Sequence, residues 1–131
     1  MNIRIEVRGL EELQRALDQK TLEPFLVRAG KAATTLVRNR LQDYPPARRS
    51  SRRTGRLRRG WKAQVSRTGR TARVVNRERY AHIVQGGTST RSWYKDMGWV
   101  QASDLPRDGT VVGQVTRIYG EEIDNWVRDV G

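Results

Sequence analysis

The chain has 131 residues with 26 Lys or Arg against 14 Asp or Glu, a formal net charge of +12, a single histidine and no cysteine. Without cysteine neither a disulfide framework nor a Cys-based metal site can form, and one histidine with scattered carboxylates gives no ligand-like spacing. No run of about 18 apolar residues is long enough to span a membrane, and Met1 to Arg8 lacks the apolar stretch of a signal peptide.

By length the chain is expected to form a single domain, residues 1–131, around one core. At its start Ile3, Ile5 and Val7 alternate with Asn2, Arg4, Glu6 and Arg8, the period of a strand with one wet face, which Gly9 ends. Leu10, Leu13, Ala16 and Leu17 then fall at spacings of three and four, predicting a short amphipathic helix anchored by Leu10 and Leu17. A second helix is expected from about Thr21, as N-cap, with Pro24 in its first turn. Its stripe is Leu22, Phe25, Leu26, Ala29, Ala33, Leu36, Val37 and Leu41, and Pro45 and Pro46 end it.

Positive charge is concentrated from the first of these prolines onward. Residues 45–80 hold 13 Arg or Lys and one acid, Glu78, so this stretch alone accounts for the net charge of the molecule. Within it Arg48, Arg49, Arg52, Arg53, Arg56, Arg58 and Arg59 lie in a Ser/Gly context almost without apolar side chains, predicting a basic flexible loop at about 46–57. Gly60 to Val65 and Thr71 to Val75 read as two strands of a β-hairpin whose turn, Ser66 to Arg70, uses Gly69 for a positive φ. Tyr80, Ala81, Ile83 and Val84 form an apolar patch, and an irregular excursion at about 86–109 comes next, with a short strand expected at Trp99 to Gln101. A last helix is expected over about Thr110 to Val130, with Val111, Val115, Ile118, Tyr119, Glu122, Trp126 and Val130 on one side and Gly113 and Gly120 weakening it. The fold class is therefore α+β: an N-terminal strand and long helix packed on a small antiparallel sheet, closed by a C-terminal helix.

No enzyme is legible. His82 reads as a surface or packing residue, the serines have no nucleophile context, and the glycines form neither a phosphate loop nor a dinucleotide fingerprint. No cofactor is expected. The arginine segment has three readings: contact with a phosphate backbone, an arm for an acidic protein surface, or a solvated loop. Its composition favours backbone contact over sequence reading, since no aromatic set interleaves with it to stack bases. Trp61 and Tyr80 are expected in the core. Trp93, Tyr94 and Trp99 are exposed candidates, either anchors in a partner's pocket or cover for the sheet.

Three motifs occur in order: Val7-Arg8-Gly9-Leu10-Glu11-Glu12-Leu13, then Thr54-Gly55-Arg56-Leu57, then Tyr80-Ala81-His82-Ile83-Val84-Gln85-Gly86-Gly87. Over roughly residues 3–88 the chain resembles the neck and tail-completion proteins of long-tailed bacteriophages. The resemblance is carried by Thr54, Gly55 and Leu57 and by Tyr80, Ala81, Gln85 and Gly87. Family members often have Glu where this chain has Gln85, and a proline-aromatic motif before the last helix has no counterpart between Trp93 and Pro106. The resemblance implies a virion structural subunit, made in the host cytoplasm, that forms a ring of six or twelve copies at the head-tail junction or the head-proximal end of the tail. It implies contact with other neck and tail proteins, passage of DNA through the ring, non-specific contact with that DNA, and no membrane. The alternative from another class is a free nucleic-acid-binding protein using Arg48 to Arg59.

Overall fold

The computed structural model describes residues 2–8, 19–43, 56–78, 81, 84–86 and 99–130. Strand β1, Asn2–Glu6, is followed by helix α1, Gln19–Leu41, a one-turn helix α2, Arg56–Gly60, and strands β2, Trp61–Val65, and β3, Thr71–Asn76. A 3-10 turn, Ala102–Arg107, leads into helix α3, Gly109–Val130. The class is α+β, with the long helices on one three-stranded antiparallel sheet of order β1-β3-β2.

The stripe that predicts α1 is its buried face. Leu22, Leu26, Ala29, Ala33, Val37 and Leu41 are all buried, at intervals of three and four, while Phe25 and Leu36 flank the stripe half-exposed. Leu36 is thus at the edge of the core rather than inside it. The start of α1 differs from expectation. The helix is already formed at Gln19, so Thr21 lies within it instead of capping it, and Pro24 is its sixth residue, where it removes one bond of the ladder on an exposed side.

Helix α3 lies antiparallel to α1, because Leu22 and Leu26 share a cluster with Tyr119 and Trp126 whereas Val37 and Leu41 share one with Val111. Val115 touches both clusters and joins them. The small residues Ala29, Gly30 and Ala33 let the second layer approach α1: a Cβ on Gly30 would lie 2.9 Å from Val65 Cγ1. Asp108 starts α3 by accepting from the Thr110 and Val111 backbone N–H groups at 3.0 and 3.4 Å. Gly113 and Gly120 both face open space.

In the sheet the central strand β3 buries Ala72, Val74 and Asn76. The register places Ile5 and Val65 opposite Ala72, and Ile3 and Ala63 opposite Val74, so these share the helix-facing side. Strand β1 stops at Glu6, before Gly9, although the Val7 N–H still reaches the Arg70 carbonyl at 3.0 Å. The hairpin forms as expected, with Gly69 at φ +75°. Its tip is not free: Gly69 is buried, and a Cβ there would overlap the backbone nitrogen of Val27 in α1. Trp99 to Gln101 form no strand; the backbone there leads directly into the 3-10 turn. The amphipathic helix expected at Leu10 to Leu17 lies outside the described residues.

Candidate functional site

The end of the arginine segment is helical. Arg56 opens α2, and Arg58 and Arg59 are exposed on it, so the irregular loop expected at about 46–57 gives way to a helix at Arg56. Nothing in the arginine-rich sequence has helical periodicity; the turn is fixed by polar side chains from elsewhere. Gln42 Nε2 donates to the Arg58 carbonyl at 2.8 Å, and Asn76 Nδ2 donates to the Leu57 carbonyl at 2.9 Å. Asn76 in turn sits against Gly60, where a Cβ would come within 2.6 Å of its Oδ1. These two bonds tie α2 to the end of α1 and to the sheet.

Of the residues singled out in the sequence, Arg48, Arg49, Arg52, Arg53, Thr54, Gly55, Tyr80, His82, Gly87, Trp93 and Tyr94 lie outside the described residues. Trp61 is in the core at 1% exposure. Trp99 is half-buried rather than exposed, and its carbonyl accepts from Gln101 Nε2 at 3.1 Å.

Ala81 and Gln85 are both fully buried, and Gln85 is the polar anchor of the fold. Its Oε1 accepts from Trp61 Nε1 at 3.3 Å, and its Nε2 donates to the carbonyls of Leu41 and Val100, each at 3.0 Å. One side chain therefore closes the end of α1, the start of β2 and the approach to the 3-10 turn. Gln101, also buried, repeats the device by donating to the Val84 carbonyl at 2.9 Å. Gln101 and Asn76 escape a reading based on apolar periodicity because each is polar and buried; Gln85 had a signal, its place in the Tyr80 to Gly87 motif.

Charge differs sharply between α3 and the segment of α2 and the hairpin. Residues 56–78, which are α2 and the hairpin, contain eight Arg or Lys and one acid, Glu78. Residues 104–129, which are mostly α3, contain six acids and three arginines. The outward side of the sheet carries Arg4, Arg73 and Gln64 in one cross-strand row and Asn2, Val75 and Lys62 in the next. Glu6 lies on the same side, held by Arg4 at 2.7 Å and Arg8 at 2.6 Å. The bond from Arg8, then the charge of Arg4, keep its carboxyl below the ordinary value. On the helical side, Arg28 approaches Glu122 at 3.7 Å and stacks over Phe25 at 5.1 Å.

No group of His and carboxylates able to hold a metal occurs among the described residues, and no described helix is long and apolar enough to cross a membrane. Both outer strands, β1 and β2, present an unpaired edge among the described residues. Comparison with known protein families, characterised proteins and solved structures finds no match to this chain.

Proposed function

We propose that this chain is a structural subunit of a phage virion, of the neck or tail-completion type, which acts without catalysis by assembling into a ring on the tail axis beside DNA. The observation that carries the reading is the small sheet with both outer edges unpaired among the described residues and one face lined by charge. A solitary globule protects such edges, whereas a repeating subunit covers them against its neighbours; contacts of that head-to-tail kind close into rings when the rotation permits.

Two further observations support it. Ala81 and Gln85, two of the motif residues that carry the family resemblance, lie in the core, where Gln85 locks the helix end to the hairpin, which is the role of residues that define a scaffold. Arg58 and Arg59 of α2 lie beside the sheet, so their charge adds to that of the hairpin. Imaging purified particles by cryo-electron microscopy tests the proposal. A ring of this subunit on the tail axis near the head is the expected result. Particles without any copy would refute it and leave a free nucleic-acid-binding role for the basic layer.

A further inference from the structure

We infer that the solvent face of the sheet, rather than the arginine segment alone, is a binding site for the phosphate backbone of double-stranded DNA. The inference rests on the proposed function only in taking DNA as the polyanion; the site itself is argued from the register of the strands.

Arg4, Lys62, Gln64 and Arg73 share the face opposite the helices, and Arg77 continues the outward alternation of β3 just past its end. Arg73 and Arg77 are four residues apart, about 13 Å along the strand, and Arg4 and Lys62 stand on strands about 10 Å apart. Four cations thus tile a patch of duplex-groove size with a carboxylate at each end; Glu6, at one corner, is held by Arg4 and Arg8. Glu78 borders the opposite end. Lys62, Arg73 and Arg77 have no carboxylate of a described residue within ion-pair distance.

The register adds a second argument. Arg4 and Arg73 are direct cross-strand partners. Like charges in that relation destabilise a sheet pair; Glu6, paired with Arg4 and acted on by the charge of Arg73, offsets part of the repulsion, and a phosphate bridging the two cations offsets more of it. Gln64, beside Arg73, supplies a neutral donor for a phosphate oxygen. Among the described residues no strand places an aromatic side chain on this face, so the strands supply no platform on which unpaired bases could stack. Point charges interspersed with the side-chain amides of Asn2 and Gln64 suit a duplex backbone.

The test is a salt titration of the full chain with a short DNA duplex, comparing wild type, the sheet-face variant K62S/R73S/R77S and the segment variant R48S/R49S/R52S/R53S. Each lost phosphate contact lowers the slope of log K against log salt by about 0.9, so the sheet-face variant should lose about 2 to 3 from the slope and, near 0.1 M salt, about 500-fold in affinity. A variant restoring charge at the same places, R73K/R77K, should bind nearly as wild type, because phosphate contact here needs charge rather than a fork. Should the triple variant fold poorly, Arg77→Ser alone, beyond the strand, should still lower the slope by about 0.9. Wild-type slope and affinity in the sheet-face variants would overturn the inference. So would equal binding of polyglutamate with the same losses, which would make the partner an acidic protein. A ring in the particle together with an unchanged slope would overturn the site and leave the assembly reading standing. A lowered slope with no copies in the particle would do the reverse.

Discussion

Replacing Gln85 by Glu tests the polar anchor at the atomic level. The amide gives two N–H bonds, to the carbonyls of Leu41 and Val100, and accepts one from Trp61. A carboxylate keeps the acceptor but replaces the one nitrogen that makes both donations with an oxygen facing two carbonyl oxygens, in a site with no exposure. Protonated, it can still donate once, so the loss at low pH is about one bond, about 1 to 2 kcal/mol. Burial and the two carbonyl dipoles disfavour the charged form and raise the folded-state pKa above the unfolded value of about 4.3. Because the folded state binds the extra proton, the added penalty is absent below about pH 4.3 and grows with pH until the raised pKa is passed. A rise of about two units adds about 2.7 kcal/mol, giving about 4 kcal/mol in total near pH 8. A domain of this length has about 7 to 20 kcal/mol of stability, so the effect is large. Urea unfolding followed by tryptophan fluorescence from pH 4.5 to 8 measures it. A variant with the wild-type midpoint at pH 8 would refute the donor geometry and with it the reason this chain has Gln at 85.

Packing and charge set further expectations. Gly113→Ala and Gly120→Ala, both in open space on α3, should each stabilise by up to about 1 kcal/mol in thermal melts, and a loss of stability would mean that the helix face is covered. Leu41→Ala, at 0% exposure, should cost about 2 to 5 kcal/mol, whereas Leu36→Ala at the half-exposed edge should cost about 1 kcal/mol; equal values would contradict the burial pattern. Tyr119 Oη is buried without a hydrogen-bond partner among the described residues, and burial pushes its pKa up, so Tyr119→Phe should be neutral or stabilising by about 1 kcal/mol at neutral pH in urea unfolding. The Glu6 carboxyl is held below its ordinary value by Arg8 and Arg4, so its contribution is full above that value and is lost as pH falls through the lowered folded-state pKa; an NMR titration should place the midpoint below 4.5.

The long helices and the hairpin were legible because their apolar residues repeat with the period of the element, 3.6 in α1 and α3 and 2 in β3. The helix at Arg56 was not, because its two fixing bonds come from Gln42 and Asn76, which lie 16 and 19 residues from their partners. Trp99 to Gln101 looked like a strand for its apolar content, yet the backbone is held by Gln85 and Gln101 side chains instead of a ladder. For the candidate site, the alternation of Lys62, Gln64, Arg73 and Val75 was visible as a hairpin. Which side faced water was not, since that depends on where α1 lies across the sheet.

The contact between the hairpin tip and α1 has a practical consequence. A β-hairpin turn is ordinarily the place to splice in an affinity tag or a fluorophore, since loop tips tolerate insertion. Here the turn closes on a helix through a buried glycine whose added Cβ would strike the Leu26 and Val27 backbone. Cargo placed between Ser66 and Arg70 would pry the sheet off its helix, while the exposed face of α3 around Gly113 and Gly120 offers attachment points that leave both layers seated.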